Sequence, residues 1–284
     1  MKIGHSLAVA TIGVATLFGP QTIAEEAKDP LRAEAVQPLL RAARIEQLMQ
    51  VVATEGTRHG VGLEKSLFPG RGGSSWATLV AAIQSPDRLA RRLAEVLDAE
   101  LSDEDAALAA TYLSDGAGAR IVAREVETRL EMLDGAVEAE AKRVSTEVRD
   151  ADPGRAALVD ELLDALDLLP ANVSGGLNAN FAFYRGLGDG GALKKRLTES
   201  EMLAMVWAQE DSVRAATRDW LQGYLTRAYA PLAEDDLRDY LAFATTPVGQ
   251  RYFAAMFAGF GTVFEETSYE MGLAAARFMA QDDA

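Results

Sequence analysis

Cysteine is absent from the sequence, which excludes structural disulfides, thiolate chemistry and a lipid anchor on an N-terminal cysteine. Histidine is scarce, since only His59 lies beyond the first 24 residues. Histidine-rich metal sites are therefore not expected, and a Ser-His-Asp arrangement would depend on His59 alone. His59 stands at the end of a predicted helix, where a histidine often only complements the helix dipole. We predict no catalytic residue, no metal site and no cofactor.

Basic residues are outnumbered: 28 Lys and Arg face 43 Asp and Glu, which gives a formal net charge of -15. Contacts with nucleic-acid phosphates need clustered Lys and Arg, so we expect no nucleic acid as a partner. Anionic lipid surfaces would also repel such a chain. The simplest role of the charge is to keep an acidic protein soluble.

Long apolar runs are missing beyond the N-terminus, so no integral membrane span is expected in the mature chain. Met1–Ala24 combines a positive start at Lys2, a short apolar core over Leu7–Phe18 and a break at Gly19-Pro20. This pattern predicts a secretory signal peptide cleaved after Ala24, and hence a periplasmic protein. An uncleaved N-terminal anchor is the alternative.

Period-two alternation of β-branched residues is also absent, whereas Ala, Leu, Glu and Arg are abundant. The fold class predicted is all-α. Apolar content is ordinary for a globular protein, so a sizeable core is expected.

Two stretches align without a gap: Leu101–Thr128 and, 131 positions later, Leu232–Gly259. Such self-similarity indicates a duplicated supersecondary unit, and the alternative is a chance match of two acidic helix starts. The matched signature pairs are Leu101 with Leu232, Asp105 with Asp236, Tyr112 with Phe243, Gly118 with Gly249, and Arg120 with Arg251. We predict a helical bundle built from two such units, each ending in a helix, a tight break and a long helix.

The break is clearest in the second copy, where Thr246 suits an N-cap and Pro247 the first helical position. In the first copy, Asp115 takes the cap place and Gly116 the proline place. An apolar stripe at helical spacing follows each break and predicts one long second helix per copy. The stripe of the second copy is apolar on more sides, which makes that helix the candidate for the buried centre.

Gly118 and Gly249 fall inside a first helical turn, where glycine costs about 1 kcal/mol relative to alanine. We interpret them as permitting a close helix–helix approach. Arg120 and Arg251 follow two residues later and could reach back to the acidic start of the preceding helix. Solvated arginines are the equal alternative.

The second copy carries an acidic start, an aromatic-Ala step, Thr-Pro-x-Gly-Gln and an apolar helix. This pattern resembles the bacterial domain-of-unknown-function family 2059. The residues that carry it are Asp235, Asp236, Leu237, Tyr240, Phe243, Thr246, Pro247, Gly249 and Gln250. The first copy departs from the pattern at Gly116 and Ala119, so the match is better in the second half of the chain. The resemblance implies an exported, all-helical bacterial envelope protein without an established activity, and it supplies no catalytic residues.

Four segments follow from these patterns: a signal peptide over 1–24, a loose leader over 25–36, and helical units over 37–150 and 151–284. Ala151-Asp152-Pro153-Gly154 marks the boundary between the units. Gly60–Ser75 and Gly186–Gly191 are predicted to be loops because their glycines are bunched. The patterns leave open whether the units share one core.

Polar residues interrupt the apolar stretch Asn172–Arg185 and, if buried, need partners. They could line a small pocket with phenylalanines of the C-terminal helix; interhelical hydrogen bonds or exposure are the alternatives. The candidate pocket residues are Asn178, Asn180, Tyr184, Phe257, Phe260 and Phe264. Glu265 and Glu266 lie within the same helix, where they either are buried or mark a face turned to water.

Three functions remain open. The first is a non-enzymatic envelope protein that contacts an unknown protein partner, and a closed bundle with an exposed apolar patch would favour it. The second is a carrier of a small apolar or amphipathic ligand, favoured by a cavity walled by Phe257, Phe260 and Phe264. The third, an enzyme, would be favoured by a cleft with two close carboxylates of shifted pKa.

Overall fold

A computed structural model of the chain describes residues 32–193 and 197–280. These residues form thirteen α-helices and contain no strand. The helices are α1 Arg32–Ala42, α2 Ile45–Leu67, α3 Gly73–Ile83, α4 Pro86–Glu100, α5 Asp103–Ser114, α6 Gly116–Glu131, α7 Gly135–Ala151, α8 Pro153–Ala165, α9 Leu168–Asp189, α10 Glu199–Trp207, α11 Glu210–Tyr229, α12 Glu234–Ala244 and α13 Pro247–Met279. The all-α helical bundle is therefore confirmed, whereas the predicted signal peptide lies outside the described residues.

The predicted tight breaks are built by side-chain caps. Thr246 accepts a hydrogen bond from the backbone N–H of Gly249 at 3.0 Å, and Pro247 occupies the first turn of α13. In the first copy, Asp115 caps α6 by accepting from the N–H of Gly116 at 2.7 Å. Such caps satisfy N–H groups that have no partner inside the helix.

The helices that follow the tight breaks differ in length between the two copies. That of the second copy is continuous, since α13 runs for 33 residues. The prediction of one long helix in the first copy is wrong, because α6 ends at Glu131 and α7 begins at Gly135. Asp134 accepts a hydrogen bond from the N–H of Ala136 at 2.8 Å and so starts a new helix. A capping aspartate followed by glycine thus interrupts an otherwise regular apolar stripe.

Both predicted glycine-rich loops are largely helical. α2 continues to Leu67, and Gly60 makes room for α3 there: a Cβ at Gly60 would lie 2.8 Å from Val80 Cγ1. α9 likewise continues to Asp189, and Gly186 within it lies against the backbone of α13. These glycines permit close packing inside helices rather than ending them.

α9 and α13 meet backbone to backbone. A Cβ at Gly186 would lie 2.1 Å from the carbonyl oxygen of Tyr269, and one at Gly272 would lie 2.2 Å from that of Phe183. The contact is reciprocal: each helix supplies a glycine, and because glycine has no side chain, the backbone of the other helix can come close.

Two hydrophobic clusters hold the bundle together, and both draw on the segments 37–150 and 151–284. The first includes Leu93, Leu97, Ile121, Leu237 and Phe260. The second includes Phe68, Trp76, Val173, Leu187 and Phe278. In the second cluster, the rings of Phe68 and Phe278 stack with centroids 5.3 Å apart. The two sequence units therefore share their cores.

α4 and α13 are joined along their outer edge by two ion pairs. Arg88 bonds Glu270 in a bidentate manner, and Arg92 lies 2.7 Å from Glu266. Glu266 thus meets a helix neighbour, while Glu265 is exposed. Pairs this accessible to water contribute little to stability.

None of the helices in the described part of the chain is both long enough and apolar enough to cross a membrane.

Candidate functional site

The repeat-signature residues meet at a junction between the helix pairs α5/α6 and α12/α13. Arg120 bonds Asp236 with nitrogen–oxygen distances of 2.9 and 2.5 Å. Arg251 bonds Asp105 at 2.8 and 2.6 Å. Of the two alternatives left open, neither describes these bonds: each arginine bonds the acidic helix start of the other copy, because the two helix pairs pack against one another.

The matched aromatic residues meet at the same junction. The rings of Tyr112 and Phe243 stack with centroids 3.9 Å apart and planes inclined by 10°. A Cβ at Gly118 would lie 2.4 Å from the carbonyl oxygen of Tyr112, and one at Gly249 would lie 2.0 Å from that of Phe243. Reciprocal contacts of this kind are typical of an isologous interface. The signature residues therefore form a structural joint.

Hydrogen bonding at the joint favours the ionised carboxylates. The hydrogen bond from Arg251, followed by that from Ser102, lowers the pKa of Asp105. The hydrogen bond from Arg120 likewise lowers the pKa of Asp236. Leu101 and Leu232, the remaining matched pair, are both buried beneath these contacts.

The aromatic residues of the predicted pocket are packed. Phe260 and Phe264 belong to the first cluster, with ring centroids 5.9 Å apart. Tyr184 belongs to the second cluster, and Phe257 is buried with 5% of its surface exposed.

The two asparagines of the predicted pocket lie in different environments. Asn180 is buried at 2% exposure, and its Nδ2 has no hydrogen-bond partner. Asn178 is exposed and bonds Glu265 on α13. Asn178 also lines a surface groove.

This groove, which we call the α9–α10 groove, runs between α9 and the α10/α11 corner. Its volume is about 120 Å³. One wall is Pro170, Val173, Ser174, Leu177, Asn178 and Phe181; the other is Leu203, Val206, Trp207, Glu210 and Arg214. The α9 wall spans eleven helical positions from Pro170 to Phe181, so the groove is about 16 Å long on that side.

α10 exposes more apolar surface than its length suggests. Trp207 is 64% exposed, Met205 41% and Leu203 39%. The other large exposed apolar side chains of the described residues are scattered over α2, α5, α6 and α7. Leu203 and Trp207 are four positions apart and share a face, next to the buried face that carries Val206. α10 is therefore apolar on two adjacent faces, only one of which is covered.

The polar rim of the groove is electrically balanced. Arg214 and Glu210 pair with each other at 2.5 Å, and Asn178 and Ser174 are neutral. α10 begins at a capping box in which Thr198 and Glu201 bond reciprocally. The sequence analysis missed the apolar outer face of this helix. The pair Leu203 and Trp207, four positions apart, was the sequence signal for this apolar face.

A wider cleft is lined by Arg185, Asp189, Leu193, Leu197 and Glu199. Two of its lining residues, Leu193 and Leu197, flank in sequence the positions 194–196 that lie outside the described residues, and we assign no role to the cleft.

A polar centre is buried where α2, α6 and α11 meet. Arg129 is 3% exposed, bonds Glu55 at 2.6 Å and places its guanidinium carbon 4.8 Å from the ring centre of Trp220. Its Nε and Nη1 have no hydrogen-bond partner. Burial raises the pKa of Glu55, although Arg129 acts in the opposite direction. Burial also lowers the pKa of His59, one turn further along α2.

One turn before Arg129 on α6, the partly exposed Glu125 accepts a hydrogen bond from the Tyr229 hydroxyl at 2.6 Å. Burial raises the pKa of Glu125 to about 7, and the Tyr229 bond acts against this shift. Over residues 32–193 and 197–280, no group of three or more His, Asp or Glu side chains could hold a metal ion.

Comparisons with protein-family models, with curated proteins and with solved structures found no match for this chain. The resemblance to family 2059 therefore stays a prediction carried by the residues of the second copy.

Proposed function

We propose that this protein is an exported, non-enzymatic interaction module of the bacterial envelope, which binds a short apolar segment of a partner protein in the α9–α10 groove. The observation that carries the proposal is the apolar surface of α10, where Trp207 and Leu203 stand beside the groove with 64% and 39% of their surface exposed. Exposed apolar patches on a closed bundle mark contact sites, and tryptophan is enriched among residues that dominate binding energy.

The size of the groove favours a segment over a globular partner. A stable interface buries about 800 Å² on each side. A groove about 16 Å long between helices whose axes lie about 10 Å apart offers far less. Its length instead matches about eleven residues of helix, which would present apolar side chains on one face.

The charge of the groove favours an apolar occupant. Glu210 and Arg214 neutralise each other at one end, and the remaining rim residues are uncharged. The α9 wall contributes the apolar side chains of Val173, Leu177 and Phe181. Affinity would therefore come from apolar burial, at roughly 25 cal/mol per Å² before the cost of ordering the segment.

The carrier alternative has less support. It would use space beside Phe260 and Phe264, but these rings pack against each other and against the first cluster.

Cross-linking from the groove tests the proposal. A photo-crosslinking residue would replace Trp207, and a matched variant would carry it at the exposed apolar position Val148. We expect the 207 variant to join one polypeptide, with the linked residues mapping to a short apolar segment. A synthetic peptide of that segment should bind the purified protein, and Leu203→Glu should weaken binding at least 10-fold. Val61→Glu, a change at an exposed apolar site on α2, should not.

Three results would contradict docking of a partner segment: equal products from positions 207 and 148, a product with a second copy of this chain, or a product with lipid. Export is tested separately. The mass of the protein recovered from its own cells should correspond to a chain that starts at Glu25, because Lys2 and the apolar core Leu7–Phe18 form a signal peptide pattern.

A further inference from the structure

Glu125 is one of the residues that tie α6 to α11, beside the ion pair of Arg227 with Glu131 and the Arg129 guanidinium over the Trp220 ring. The hydroxyl of Tyr229 donates to the Glu125 carboxylate at 2.6 Å, and that of Tyr224 donates to the Glu125 backbone carbonyl at 3.1 Å. Both tyrosines belong to the last turns of α11, so this helix end depends on Glu125 for two of its polar contacts.

The carboxylate of Glu125 has no cationic partner among the described residues, and its one side-chain hydrogen bond there comes from Tyr229. On its own helix, Arg129 is engaged by Glu55 and Trp220, and Arg124 by Glu127 and Glu131.

The helices packed around Glu125 present tyrosines to it. Burial, and then the charge of Glu125, raises the pKa of Tyr240 on α12 and of Tyr252 on α13. Burial, and then the charge of Glu125, also raises the pKa of Tyr224 and of Tyr229 on α11. On α2, Glu55 bonds Arg129. The environment of Glu125 is therefore phenolic and apolar.

We propose that Glu125 is a proton-operated link between α6 and α11: the protonated side chain holds the joint closed, and ionisation loosens it. The neutral form can remain under Tyr229 without the cost of burying a charge. The ionised form has only one phenol to stabilise it, so ionisation places a charge in largely apolar surroundings and makes the packing of α6 against α11 less stable. This link stands apart from the α9–α10 groove and does not depend on the proposed docking function.

The direction of the pH effect follows from linkage. Burial holds the pKa of Glu125 at about 7, above the ordinary value of 4.5. The folded joint therefore binds a proton that the open form releases. Its stabilisation is complete below about pH 4.5 and is lost as the pH rises toward 7.

Hydrogen exchange of the backbone amides around Tyr224 and Tyr229 tests the link, after correction for the intrinsic pH dependence of exchange. We expect their protection to fall on the order of 10- to 100-fold more between pH 5 and pH 8 in the wild type than in Glu125→Gln. Glu161→Gln, a change at an exposed carboxylate on α8, should behave as the wild type.

Tyr229→Phe provides the second variant. Because the Tyr229 hydrogen bond lowers the pKa of Glu125, its loss should move the midpoint of the pH dependence to higher pH. A residue with only a packing role would not move that midpoint. The proposal is overturned if Glu125→Gln keeps the wild-type pH dependence. An unchanged midpoint in Tyr229→Phe would overturn it even if Glu125→Gln failed to fold.

Discussion

Tyr112 and Phe243 stack face to face, with ring centroids 3.9 Å apart, although 130 residues lie between them in the chain. They occupy the same place in the two aligned stretches, so each meets its own counterpart. The flanking ion pairs, Arg120 with Asp236 and Arg251 with Asp105, repeat the reciprocity. Two copies of one helix pair related by a pseudo-two-fold axis would give this arrangement.

We expect the stack to couple the two helix pairs energetically. In a double-mutant cycle of Tyr112→Leu and Phe243→Leu, the coupling free energy of unfolding should be about 0.5–1.5 kcal/mol. Urea unfolding of the four proteins measures it. Tyr112→Phe keeps the ring and loses only the hydrogen bond to Asp239, so it should cost less than Tyr112→Leu. Strictly additive single changes would contradict the coupling.

The backbone contact between α9 and α13 predicts a large effect of one methyl group. Gly272→Ala places a Cβ 2.2 Å from the Phe183 carbonyl oxygen, and such overpacking should reduce the free energy of unfolding by about 1–3 kcal/mol. Gly62→Ala on α2 is the matched control, since a Cβ there meets nothing within 4 Å. It should stabilise the protein by about 0.5–1 kcal/mol. Equal effects of the two changes on thermal unfolding would be inconsistent with the contact.

Removing Arg129 alone should destabilise the protein more than removing Arg129 together with the charge of Glu55. Arg129→Met leaves Glu55 poorly solvated and without its cationic partner, and should cost about 3–5 kcal/mol of unfolding free energy. The double variant with Glu55→Gln should recover part of this loss, because the carboxylate that lost its partner is then gone. Chemical denaturation at pH 8 measures both. If the double variant were no more stable than Arg129→Met, Glu55 would not be the source of the cost.

Trp207 should dominate the accessible fluorescence of the protein. It is 64% exposed, whereas Trp76 is 1% exposed. Trp207→Phe should therefore remove the component most readily quenched by acrylamide and shift the remaining emission to shorter wavelength. Unchanged quenching would mean that α10 is covered in solution. Trp76→Phe, which keeps α10 intact, should leave the quenchable component in place if the fold is retained.

The sequence determined what depends on near neighbours. The helical class, the Thr246 cap with Pro247 after it, and the course of α13 all follow from residues within three or four positions of one another. The alignment of the two copies also identified the signature residues, which lie together at the joint between α5/α6 and α12/α13. Local rules failed at residues 132–134, where the apolar stripe continues but a capping aspartate starts a new helix.

The tertiary structure decided what depends on residues distant in sequence. The partner of Arg120 belongs to the other copy, 116 positions away, and the hydrogen bond on Glu125 comes from Tyr229, 104 positions away. The exposure of Trp207 likewise depends on which face of α10 the rest of the bundle covers. Burial and electrostatic environment are sums over spatial neighbours, and only the packed chain specifies those neighbours.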